Sequence, residues 1–302
     1  MSQTLIKSRE PKDVSALSLF EAKYNKAKLT DGQAKKLNEN PGIWSSIVKL
    51  IDECSLLDQF DNEQIQSTYV YPGDHAAKPI GEQLDGLARI FGLSLGDTSD
   101  FVEKVLPKLT LPDWAEGWFA IPTVDALATR FFKDLKDPAA RYCEAVKLVL
   151  AKIAASRNFY NYREEEITPN RFRMNARTEH AMDLTMADQK GDILIVPGQF
   201  GMRHRGRSVQ RTRKAMTHPE FGFGSVAVGS MLLTHPERLA SYDDLWIDVP
   251  GDEFSPRAEG QFPGAPIFIF HVDQVRFDTR VAGPAYGYCG SASGAVPQRT
   301  KS

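Results

Sequence analysis

Residues 199–216 read QFGMRHRGRSVQRTRKAM and gather Arg203, Arg205, Arg207, Arg211, Arg213 and Lys214 around His204, with no acidic residue among them. A guanidinium group presents a planar fork of donors that matches phosphate and carboxylate oxygens two at a time. Six cations this close repel one another, and something must offset that. A phosphate-bearing ligand is one solution: an RNA or DNA backbone, bound with counterion release, or a phosphorylated small molecule. Gly201 and Gly206 permit close backbone approach. Ser208 suits the cap of a short helix whose amide donors would face the same anion. The internal solution is the acidic run at 243–253, which holds Asp243, Asp244, Asp248, Asp252 and Glu253 and no Lys or Arg. Exposed ion pairs contribute only about 0–1 kcal/mol each, and buried ones mainly fix geometry.

Asp248, Asp252 and Glu253 flank the turn Pro250-Gly251. Carboxylates so placed could hold a cation and activate water for phosphoryl chemistry, or simply shape the turn. His204, His235 and His271 could join them as acid–base or metal groups, but no histidine or cysteine spacing is that of a metal motif. Ser225 and Ser230 follow glycines without forming a nucleophile elbow, and no glycine-rich phosphate loop occurs. Phe159, Tyr160 and Tyr162 could stack bases or pack a joint. The site expectation is therefore Arg203, His204, Arg205, Arg207, Arg211, Arg213 and Lys214 for a ligand. Asp248, Asp252 and Glu253 are the acid–base or metal alternative. No cofactor is implied.

The elements that must position these groups come from patterning. Residues 13–60 show helical stripes, with Asp13 as a cap and a break at Pro41-Gly42. Further helices are expected to end at Gly92, to start near Ser99 or Asp100, and to start at Asp137-Pro138 and at Thr168-Pro169. Residues 111–122 look like a packed connection. Strands are expected at 192–197, at 221–233 as a bent strand with three glycines, at 245–249, at 267–272 and at 275–281. The small polar residues after Gly290 suggest a flexible tail. The sum is an α+β protein: a mainly helical domain over 1–160, then a β-rich domain over 161–290. The second would hold a small mixed or antiparallel sheet or partly closed barrel that carries the arginine-rich loop, with a tail over 291–302.

Composition narrows the function classes. The net charge of −2 gives no global nucleic-acid signature. Cation type divides the chain: residues 1–160 hold 15 Lys and 5 Arg, and residues 161–302 hold 3 Lys and 14 Arg. Cys54, Cys143 and Cys289 lack disulfide or zinc spacing, which suits buried free thiols in a reducing cytoplasm. No apolar run has membrane-spanning length, and the first residues lack a secretory pattern. The runs GDILIVPGQFGMRHRGRSV, MLLTHPERLASYDDLWIDVPGDEFSP, GWFAIP and NFYNYRE are similar to a family of uncharacterised proteins from candidate-phylum bacteria. That resemblance implies a bacterial cytosolic setting and brings no activity, cofactor or catalytic residue. Three functions follow as expectations: a nucleic-acid or phosphate-ligand binding protein, an enzyme acting on a phosphorylated small molecule or nucleic acid, or a structural or partner-binding protein with the arginines paired internally.

Overall fold

The computed structural model describes residues 27–40, 42, 63–71, 75–258 and 260–299. The chain divides into two compact units, Met1–Asp58 and Gln59–Ser302. In the first, helix α1 (Asp31–Asn38) opens with a capping box, Thr30 Oγ1 accepting from Gln33 N and Gln33 Oε1 from Thr30 N. Cys54 and the rest of the helical pattern expected over 13–60 lie outside the described residues.

In the second unit the helices are α2 (Ile80–Phe91), α3 (Gly96–Lys104), α4 (Val124–Phe131), α5 (Pro138–Ser156), α6 (Ala176–Asp188), α7 (Val209–Ala215) and α8 (Ser225–Thr234). The strands are β1 (Leu109–Thr110), β2 (Gly117–Pro122), β3 (Phe159–Asn161), β4 (Phe172–Met174), β5 (Ile193–Gln199), β6 (Glu220–Gly222) and β7 (Trp246–Asp248). They continue with β8 (Asp252–Phe254), β9 (Gly264–His271), β10 (Gln274–Val281), β11 (Cys289–Ser291), β12 (Ser293–Ala295) and β13 (Gln298–Arg299). A four-stranded antiparallel sheet runs β2-β5-β12-β6. A seven-stranded mixed sheet runs β11-β7-β9-β10-β3, with β8 joining β9 and β4 joining β8. Its β11–β7 and β10–β3 pairs are parallel. A short pair joins β1 to β13.

The architecture is α+β, and its sheets are open rather than barrel-like. Helices and strands also interleave. Strands β2 and β3 pair with β5 and β10 across residue 160, and α6 to α8 follow it. Helix α8 packs against α5, β2 and α2. Gly229 makes the α8–α5 approach possible, because a Cβ there would sit 2.5 Å from Val149 Cγ1.

Four local expectations change. Residues 225–234 are helical: Val226, Val228, Met231 and Leu232 are buried on every side, so no amphipathic stripe marks the helix. Residues 117–122 form a buried strand rather than a connection. At 168–175, pairing of Phe172 with Phe254 overrides the helix start, and Asn175 caps α6 instead, accepting from Thr178 N at 3.0 Å. Residues 291–299 are not a tail: β12 lies between β5 and β6 and is fully buried, while 300–302 lie outside the described residues. Small residues there serve packing, not solvation.

Candidate functional site

The arginine segment leaves β5 and turns at Gly201, whose φ of +142° only glycine tolerates easily. A Cβ at Gly201 would also lie 2.8 Å from the Gly290 oxygen, so the segment lies tight against β11. At its centre is a carboxylate that the sequence reading passed over, Glu220 on β6. Arg203 Nε donates to both Glu220 oxygens at 3.0 and 3.1 Å, and the Arg203 guanidinium carbon lies 4.9 Å from the Trp114 ring centroid. Buried His204 meets Glu220 through Nε2 at 2.8 Å, and Ser293 Oγ donates to the same oxygen at 2.7 Å. Arg207 Nη1 lies 2.9 Å from His204 Nδ1.

These contacts define one proton arrangement. Arg207 can only donate, so Nδ1 accepts and Nε2–H donates to Glu220. Burial holds the His204 pKa below its usual value, with Arg207 and Arg203 adding to the effect against the pull of Glu220. Burial would raise Glu220, but the hydrogen bonds of His204 and Ser293 and the charge of Arg203 hold it below the usual carboxylate range. A neutral imidazole between an arginine and a glutamate is a rigid brace, already satisfied at both nitrogens. One sequence signal was available: Glu220 is the sole acid between Asp192 and Glu237.

The remaining cations divide. Arg207 and Arg211 donate through Nε to Gln64 Oε1 at 3.3 and 2.7 Å. Arg213 donates to the main-chain oxygens of Pro250 and Asp252 at 2.9 and 2.6 Å. Arg205 is exposed and donates to Met202 O at 2.9 Å, and Lys214 is exposed. Ser208 does cap α7, accepting from Arg211 N at 3.0 Å, while its own hydroxyl donates to Glu63 at 2.8 Å. That short helix start is therefore occupied by protein groups.

The acidic run is neutralised from elsewhere. Arg280 reaches Asp248 at 2.5 Å, and Arg173 reaches Glu253 at 2.7 Å. Asp244 accepts from Ala240 N and Ser241 N, both at 2.7 Å. Asp252 accepts from Tyr142 Oη at 2.5 Å and Ser225 N at 2.6 Å. Burial raises the pKa of Asp248 against the influence of Arg280, and pushes Asp252 up to about 6. The fold thus brings Arg213 to this run only at main-chain oxygens. His235 accepts from Lys78 N at 2.9 Å, and burial lowers it to about 4. Among the described residues, no three His, Cys, Asp or Glu side chains converge as metal ligands.

The seven-stranded sheet has a second feature. Phe268, Phe277 and Ile247 point from it into the core, so alternation sends Trp246, Ile269 and Arg276 to the opposite face. That outer face displays a chain of rings. Tyr242 lies 6.3 Å from Trp246, Trp246 lies 4.7 Å from Tyr288, and Tyr288 lies 5.4 Å from Tyr286. Tyr242 and Tyr288 are 63% and 50% exposed, and Tyr160 and Tyr162 at the far edge are 51% and 46% exposed. Arg276 donates to Tyr162 Oη at 3.2 Å. At the near edge, Gly206 N donates to Cys289 O at 2.9 Å, which sets Arg205 and Arg207 beside β11. The sequence signal was the alternation YNY at 160–162, which puts both rings on one face of an extended chain, whereas the two rings of YGY at 286–288 are brought together by a turn in which Cys289 N donates to Tyr286 O at 3.1 Å.

No protein-family model, curated protein or solved structure matches the chain. No helix among the described residues is long and apolar enough to cross a membrane.

Proposed function

We propose that this protein binds single-stranded nucleic acid on the outer face of its seven-stranded sheet, with the exposed part of the arginine segment at its edge. The observation that carries the reading is the row of rings Tyr242, Trp246, Tyr288 and Tyr286, in which Tyr242 and Tyr288 are exposed, Trp246 is half-buried between them and Arg280 lies over Tyr286. Splayed bases stack on such rings whatever their identity, and a duplex hides the faces that would stack. Arg205, Arg276 and the Nη2 of Arg207, whose other nitrogens are held by Gln64 and His204, are the nearby candidates for phosphate contact, since Arg280 is engaged by Asp248. Each stacked base is worth about 1–3 kcal/mol. Tyr242→Ala with Tyr288→Ala should therefore weaken a fluorescent oligothymidylate at least tenfold in an anisotropy titration, with the fold unchanged by circular dichroism. Absence of binding at low salt, or binding indifferent to both changes, removes the proposal.

A specific observation also favours a second reading, that the inner part of the segment is a structural brace. Arg203 is engaged by Glu220, and Arg213 by two main-chain oxygens. On this reading those two arginines serve stability, Arg207 serves both by holding His204 through Nη1 and offering Nη2, and Arg205 serves the ligand. An enzymatic role has no comparable support, because Asp248 and Asp252 are buried and partnered.

A further inference from the structure

A cavity of about 640 Å³ opens among α4, α5, α6 and the start of α8, and the residues of the sheet face and the arginine segment take no part in it. Its walls are apolar: Ile121 of β2, Met174 of β4, Met182 and Met186 of α6, and Val226 of α8, with Tyr142 of α5 also lining it. Methionine walls adapt to irregular apolar shapes. A volume of this size lies in the range of small-molecule pockets.

The polar groups around the cavity are not balanced. Arg141 pairs with Asp125 at 3.3 Å, and Arg173 pairs with Glu253 and lies over the Phe262 ring. Asp137 caps α5, accepting from Ala140 N at 2.7 Å. Glu179 and Asp183 remain. They stand one turn apart on α6, both exposed, and neither forms an ion pair among the described residues. Two carboxylates at i and i+4 lie on one helix face and repel each other unless a cation sits between them.

We propose that this cavity binds an organic amine, its apolar body against the methionines and its cationic head between Glu179 and Asp183. The inference is independent of the nucleic-acid reading. It commits to charge as well as to apolar fit. An adjoining hollow of about 610 Å³ shares Thr123, Asp125 and Met186, but there Arg130 and Lys190 stand against Asp125 and Asp192, so it lacks the surplus of carboxylates that would select a cation.

The test uses three probes with one body and different heads: phenylbutylamine, phenylbutanol and phenylbutanoate. Calorimetric titration of the full chain should give the amine at least tenfold tighter binding than either of the others. Glu179→Gln with Asp183→Asn should bring the amine down to the alcohol and leave the alcohol unchanged, which also shows that the cavity is intact. Met182→Arg, placing a built-in cation at the mouth, should weaken the amine. Equal affinity for amine and carboxylate, no binding of any probe, or an amine affinity unmoved by the Glu179 and Asp183 changes overturns the proposal. Loss or retention of oligonucleotide binding bears on neither result.

Discussion

Asp252 is fully buried, and its two oxygens accept from Tyr142 Oη and Ser225 N. Burial disfavours the ionised form, and the folded pKa of about 6 lies above the value of an exposed aspartate. The native state therefore holds this proton over a range where the unfolded chain has released it. The stabilisation is complete below the unfolded pKa of about 4 and is lost as pH rises through about 6. Asn in place of Asp252 can accept from Ser225 N and donate to the Tyr142 oxygen, so Asp252→Asn should flatten this part of the stability profile in urea titrations between pH 4 and 6.5. Asp252→Ala leaves a buried amide and hydroxyl unpaired and should cost about 1–3 kcal/mol for each. The sequence marked Asp252 as a candidate acid but could not reveal its role. Its partners stand 110 and 27 residues away, and only the packed fold joins them. Glu220 was missed for the same reason: its meaning comes from Arg203 and His204 on one turn and Ser293 on β12, which only the packed fold brings to it.

Strand β12 pairs Gly294 with Gly198 of β5, and the Phe223 ring covers both. A Cβ at Gly294 would meet Phe223 Cε1 at 2.3 Å, and one at Gly198 would meet Cε2 at 2.6 Å. The two glycines therefore form a flat seat for one aromatic ring. Overpacking of this kind costs about 1–3 kcal/mol, so Gly294→Ala should lower the urea midpoint accordingly, with much of the loss recovered when Phe223→Leu is added. If the single change is neutral, the seat has no energetic weight. Elements with an amphipathic stripe or a clear cap were legible in advance, among them α2 with its Gly92 stop and α5 with its Asp137 cap. Elements buried on all sides were not. Helix α8 shows no stripe because it has no solvent face, and β12 resembles a tail because Ser, Gly and Ala suit both tight packing and solvation.

Across the whole molecule, net charge is close to neutral while the proposed nucleic-acid face borrows a few arginines at its edges. Single-strand binding loses affinity with salt by a log–log slope of about −0.7 per phosphate contact. With Arg205, Arg207 and Arg276 as contacts, a slope near −2 is expected on that basis. Arg205→Ala with Arg207→Ala should reduce it to about −0.7, as read from anisotropy titrations across a salt series. A slope unchanged by those substitutions would place the phosphates elsewhere. The α+β class was legible from the change in patterning along the chain. The interleaving was not, since strand partners are set by long-range packing that local periodicity does not encode. That interleaving also has a consequence in time. The slot between β5 and β6 is filled by β12, so a nascent chain that has already delivered both neighbours must hold two unpaired strand edges until residue 295 clears the ribosome. Such edges template association with other chains, and the interval is when a holding chaperone would do most for the yield of this protein.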